Sequence, residues 1–293
     1  MRPIIRTVKQ YVALNVHVSL ALISLVIITY HYLDVSVDWH YVAFAFFSTL
    51  VAYTHIKNVP SGVALKMVIS TVVKKSPWWI HLLSLICLWL ALSFQIQQLL
   101  ILLILVLLCL GYCLPRPIFI KKNLKHVNSA SVQSSLRDYG AIKVIIVAIV
   151  WCGVSLLLPM NNQLIFDVKL AMICVAQSLW IIVLTIPFEI RDTSRDQLRH
   201  PTWPQKLGLR GTKVLGVVLW TLSLVLHYFA GLGVFGTSGQ LSFIDLPFGV
   251  TMALTLFGLL RAKPNQSFWY SAFWIEAIPI LWLTMTYLFS WMN

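Results

Sequence analysis

Residues 188–208 read F-E-I-R-D-T-S-R-D-Q-L-R-H-P-T-W-P-Q-K-L-G, a charged run set between two long apolar stretches. Three of the nine acidic residues of the chain fall within it, Glu189, Asp192 and Asp196. Spaced three and then four apart, they stack on one helical face with carboxylates on adjacent turns. Arg191, Arg195 and Arg199 follow a second ridge at four-residue spacing. Carboxylates crowded on one face repel each other unless a cation sits among them, and hard oxygen donors suit Mg2+. A magnesium so held keeps several waters and takes a substrate's phosphates, with arginine or lysine completing the charge balance. The same residues equally suit a solvated turn in which acids and arginines pair with each other.

Working outward, the flanks decide the fold class. The 293 residues are 59% hydrophobic and only 11% charged. A soluble domain is about half apolar and about a quarter charged. A membrane span needs about 20 apolar residues. Nine stretches qualify: 11–33, 39–55, 78–94, 97–114, 140–159, 164–188, 213–233, 245–262 and 268–290. The expected architecture is therefore an all-α polytopic membrane protein of about nine transmembrane helices, with residues 1–293 forming one helical bundle and a single membrane-embedded domain.

The net charge of +13 would suit nucleic acid, but its placement excludes that partner. If the nine stretches alternate across a bilayer, every lysine and arginine except Lys169 falls on one side. The excess of basic residues in cytoplasmic loops then places the N-terminus inside and the C-terminus outside, in a bacterial inner (plasma) membrane. Membrane lipids with anionic headgroups are the expected partners of most of these cations. The five cysteines, all within apolar stretches, read as small packing residues.

Polar residues near the inner ends of the spans are the remaining candidates. Tyr53, His55, Lys57 and Asn58 end the second stretch, and Lys57 and Tyr53 share a face one turn apart. The connection 59–77 has room for a short interfacial helix. Tyr112 and Arg116 end the fourth stretch and lie within reach of a phosphate at the membrane surface, or of a lipid headgroup. Pro187 is expected to interrupt the sixth span. Asn15 and His17 stand near the start of the first span, and Glu276 is the single acid deep within a span, suited to function or to a helix-to-helix hydrogen bond.

On these residues the chain resembles the UbiA-type family of intramembrane prenyltransferases. The second signature of that family is an Asp-x-x-x-Asp run, a short turn with threonine and proline, and then Leu-Gly. Here Asp192 to Asp196 read D-T-S-R-D, Pro201 to Pro204 read P-T-W-P, and Leu207–Gly208 follow. The resemblance implies a bundle around a central cavity open to the cytoplasmic side. It further implies Mg2+ held by Asp192, Asp196 and Glu189, and a diphosphate taken by Lys57, Asn58, Arg191, Arg195, Tyr112 and Arg116. Asp192 and Asp196 would be the catalytic pair. The implied reaction moves the prenyl group of a prenyl diphosphate to a lipophilic membrane acceptor.

The first signature of the family, an acidic run after the second span, is absent: no acid lies between Asp38 and Asp138. The corresponding residues read Y-T-H-I-K-N, so one metal site is expected rather than two, with Lys57 touching phosphate directly. The missing acids keep two other classes open, a non-catalytic relative that binds an isoprenoid lipid or a partner protein, and a transporter.

Overall fold

The computed structural model describes residues 2–59, 65–114, 135–160, 167–193, 202–231 and 245–292. The described residues hold eleven α-helices and no β-strand. They are α1 (Arg2–Ala13), α2 (Val16–Tyr32), α3 (Trp39–Asn58), α4 (Leu65–Lys75), α5 (Trp78–Ala91) and α6 (Ile96–Cys113). Then come α7 (Gly140–Cys152), α8 (Val168–Asp192), α9 (Trp203–Gly231), α10 (Leu246–Arg261) and α11 (Ile278–Met292). A π-helical turn, Gly153–Leu157, extends α7, and a second, Tyr270–Ile275, precedes α11.

Each of the nine apolar stretches carries helix in its described part, and α4 supplies the short helix expected between the second and third. Five segments are long and apolar enough to cross a membrane by themselves: Ile96–Cys113, Gly140–Leu157, Val168–Asp192, Trp203–Gly231 and Tyr270–Trp291. A sixth arises if α1 and α2 count as one span bent by 62°. The apolar helices α5 and α10 are shorter, at 14 and 16 residues.

Three of the scarce acids begin helices. Asp38 accepts from the amides of His40 and Tyr41, Asp167 from Leu170, and Asp245 from Phe248, at 2.7–3.1 Å. A carboxylate there satisfies amide donors that have no partner inside the helix. Asp245 also accepts from the Tyr32 hydroxyl, fastening the end of α2 to the start of α10.

Packed neighbours succeed one another around the bundle. α2 lies against α3 and α11, α3 against α5, and the short turn after α5 leads to α6; α6, α7, α8, α9, α10 and α11 then pack in order. α8 is the most enclosed long helix, 61% of its apolar window being buried against 17% for α6. Its Trp180 stands edge-on to Trp282, which also meets Phe248, in the main core. Apolar contact alone does little to hold helices together where the surroundings are apolar too, so close packing and interhelical hydrogen bonds matter more. Trp180 donates to Thr255, Gln177 to Ser155, and Ser223 to the Ala176 carbonyl, at 3.0, 2.8 and 2.7 Å.

The π turns free backbone carbonyls, which lipid cannot satisfy. In the first turn the carbonyls of Val154 and Ser155 accept from Tyr41 and Thr29. Two details depart from the expected spans. The first span breaks at buried Asn15, whose backbone is left-handed (φ 64°). The sixth is not interrupted at Pro187, because α8 runs on to Asp192. Proline removes one amide donor, and a single missing rung leaves the following turn intact.

Candidate functional site

The described part of the charged stretch up to Thr193 lies at the end of the bundle where α2 and the second π turn begin and α3 and α8 end. Its last described helical residue, Asp192, follows Arg191 at the terminus of α8. The Arg191 guanidinium spreads across three partners. Nε and Nη2 donate to the two carboxylate oxygens of Asp192, both at 2.8 Å, and Nη1 donates to Ser271 Oγ at 2.7 Å. Its Cζ stands 5.4 Å from the centre of the Phe188 ring. The fork is therefore aimed by a neighbouring carboxylate and by a hydroxyl of the second π turn.

From the other side, α3 brings Lys57. Its ammonium donates to Asn15 Oδ1, while Asn15 Nδ2 donates to Thr54 Oγ1 at 3.1 Å. The Thr54 hydroxyl donates onward to the Leu50 carbonyl at 2.8 Å. Lysine can only donate, so the amide oxygen must face Lys57 and the amide nitrogen Thr54. Lys57 is otherwise exposed. Arg137 Nη1 donates to the carbonyls of Ile56 and Val59, at 2.7 and 3.2 Å, and so caps the end of α3 that carries Lys57.

The second π turn, which Glu276 follows, ties these elements together, since its Ser271 accepts from Arg191. His17 joins the same turn: Nε2 lies 2.9 Å from the Phe273 carbonyl and Nδ1 lies 2.8 Å from the Tyr11 hydroxyl. A carbonyl only accepts, so Nε2 carries the proton and Nδ1 accepts from Tyr11. Tyr53 accepts from Trp151 Nε1 at 3.0 Å.

The expected residues thus divide. Lys57, Arg191 and Asp192 share one polar cluster. Glu189 is buried and pairs with Lys143 at 2.7 Å. Tyr112 is buried at the end of α6. Asn58 is half-buried at the last turn of α3. Arg116, Arg195 and Asp196 lie outside the described residues. His55 meets Ser76 at 3.1 Å, on the side of α5. Among the described residues no group of three His, Cys, Asp or Glu side chains is placed to hold a metal ion. Arg137, Ser271 and the π turn were not foreseen from the sequence, and Asn15 was named without its partners.

The connection after α8 is fastened at both ends. Gln205 Nε2 donates to the Thr193 carbonyl at 3.0 Å and its Oε1 accepts from Thr202 N at 2.9 Å. A Cβ on Gly140 would lie 2.7 Å from Thr202 Cα, so α7 approaches this point as only glycine allows. Gly208, in the Leu-Gly pair, has φ 68° and ψ 174°, a backbone that is essentially glycine's alone.

No family model and no curated protein matches the chain. The solved structure of a UbiA homolog from Archaeoglobus fulgidus bound to DMAPP and Mg2+ does match. The alignment covers 96% of this chain and 98% of that one, with a TM-score of 0.56 and 12% sequence identity. The chain has a UbiA-type fold. Since the alignment takes in nearly the full length of both chains, the polar cluster is part of that fold rather than of an appended unit.

Proposed function

We propose that the chain is a divergent UbiA-type, prenyltransferase-like membrane protein, with nine spans around a cavity open to the cytoplasm. It binds a prenyl diphosphate at the polar cluster and transfers the prenyl group to a lipophilic membrane acceptor. The observation that carries the reading is convergence: Lys57 from α3 donates to Asn15, Arg191 from α8 holds Asp192 and donates to Ser271 of the second π turn, and His17 at the start of α2 meets the Phe273 carbonyl of that same turn, at one end of the bundle. The DMAPP and Mg2+ bound by the homolog of the same fold support the choice of ligand.

In this account the Lys57 ammonium and the Arg191 fork take diphosphate oxygens, with Asn58, Arg195, Arg116 and Tyr112 completing the rim. Magnesium is commonly held by one or two carboxylates together with substrate phosphates. The described donors fit an ion that arrives with the diphosphate rather than a resident one, with Asp192 and Asp196 holding it and Glu189 retained by Lys143. When bound, the metal neutralises the leaving group. As the allylic carbon–oxygen bond breaks, the diphosphate keeps the electron pair. Phe273, Tyr53 and Trp151 keep water from the cation, and the acceptor carbon or oxygen forms the new bond with loss of its proton.

A non-catalytic isoprenoid-binding relative is the second reading. It is favoured by the bidentate hold of Arg191 on Asp192, together with the lack of acids between Asp38 and Asp138. Purified protein in lipid nanodiscs, given radiolabelled geranyl diphosphate, Mg2+ and a membrane lipid extract, should yield a labelled lipophilic product, and Asp192→Asn should reduce it at least tenfold. Magnesium-dependent binding without product would favour the second reading. No binding at all would end both.

A further inference from the structure

The end of the bundle opposite the polar cluster has the reverse charge. There α2 ends and α3, α8 and α10 begin, and among the described residues that end exposes Asp34, Asp38 and Asp245. Lys169, the one lysine or arginine there, is buried. Beside Asp245, α9 and α10 leave a slot of about 390 Å³, within the usual range for a ligand site. Leu224, Val225 and Phe229 of α9 line it with Phe248 and Gly249 of α10, and Asp245 is its one charged lining residue. A Cβ built on Gly249 would meet nothing within 4 Å, so the missing side chain leaves the slot open there. At about 1.5 Å per residue the lining extends about 6 Å along α10 and about 8 Å along α9. Such a slot takes the first few carbons of a chain whose head stands at Asp245.

The carboxylate is held at the rim of the slot. Asp245 accepts from the Phe248 amide through Oδ1 at 2.8 Å and from the Tyr32 hydroxyl through Oδ2. A carboxylate offers about four lone-pair sites, so the exposed Asp245 has room for a further donor.

We propose that this slot is a phospholipid site selective for a primary-ammonium headgroup: phosphatidylethanolamine seats its ammonium against Asp245 and the adjoining part of one acyl chain between α9 and α10. Val225 and Phe229 are exposed on an apolar helix long enough to span a membrane, so hydrocarbon chains are what surround the slot. Charge then selects among lipids. An ammonium donates a charge-assisted hydrogen bond to the carboxylate. Phosphatidylglycerol instead brings a net negative charge to an end that exposes acids, and like charges repel. The basic end of the bundle has the opposite preference, for anionic headgroups. The assignment is independent of the reaction at that other end.

Native mass spectrometry of the detergent-solubilised full chain tests this, by counting the lipids retained when phosphatidylethanolamine or phosphatidylglycerol is added at equal concentration. Because the basic end binds lipid too, the slot is read as the difference between wild type and Gly249→Leu, whose side chain fills it. Wild type should retain one phosphatidylethanolamine more than Gly249→Leu. Retention of phosphatidylglycerol should change about fivefold less, the limit for an exposed ion pair. Asp245→Asn keeps a helix-capping side chain and should make the slot take the two lipids alike. Val225→Trp fills the slot from α9 and should reproduce Gly249→Leu, which keeps the test decisive if the leucine variant does not fold. Phosphatidylethanolamine retention that is equal in wild type and the filled variants overturns the site. A loss equal for both lipids, or an Asp245→Asn variant that discriminates as wild type does, overturns the headgroup assignment.

Discussion

Replacing Asn15 separates the two things this residue does. Its backbone is left-handed, which costs an ordinary residue about 1–2 kcal/mol and asparagine less. Its side chain joins Thr54 to Lys57 while only 3% exposed. Asn15→Ala should lose about 1 kcal/mol to backbone strain. Loss of the neutral bond to Thr54 adds about 1 kcal/mol. The bond to exposed Lys57 adds at most about 1 kcal/mol after solvent screening. The sum is about 2–3 kcal/mol, or about 5–10 °C in Tm for a chain of this size. Asn15→Gly loses the same contacts but not the backbone preference, so it should unfold about 2–4 °C above the alanine variant. The 12 tryptophans make intrinsic fluorescence in nanodiscs a direct readout. If alanine proves at least as stable as glycine, the break between α1 and α2 is not a strained joint.

Three further outcomes follow from the same structure. Lys57→Met should weaken binding of geranyl diphosphate at least tenfold in the presence of Mg2+, with little change in Tm, since this lysine is exposed and its loss leaves no buried charge. Lys143→Met removes the ammonium 2.7 Å from the buried Glu189 carboxylate and should cost about 3–5 kcal/mol, whereas Lys143→Met with Glu189→Leu should recover most of that loss in chemical denaturation. Gly208→Ala, at φ 68°, should lower stability by about 1–3 kcal/mol; Gly249→Ala, with open space about a regular helical position, should not lower it.

What the sequence could and could not disclose follows from the range of each force. Apolar runs of span length declare themselves residue by residue, and all nine carry helix in their described parts. The Leu207–Gly208 pair showed a motif, and its positive φ supplies the physical reason for the glycine. Asp192 was expected in the charged connection beyond the sixth span and instead closes α8 itself, and spacing alone could not tell a metal ligand from an arginine partner. Arg191 and Asp192 are neighbours in the chain, and at a helix terminus the long arginine can fold back onto the carboxylate. The π turns escaped notice because they depend on side chains of distant helices, Tyr41 and Thr29 for one, His17 and Arg191 for the other. Glu276 was visible as an isolated acid, whereas the turn before it is held by Arg191 and His17, 80 and 256 positions from their partners in the turn, which is a property of the bundle.

Thermal unfolding of the purified protein in nanodiscs, with farnesyl diphosphate added in the presence and absence of Mg2+, tests the central claim most directly. At 100 times the dissociation constant, binding adds about 2.7 kcal/mol to the native state. The account predicts a Tm raised by several degrees only when both are present, and a shift largely abolished in Asp192→Asn and in Lys57→Met. An unchanged Tm under all conditions, or a shift indifferent to both substitutions, would contradict it.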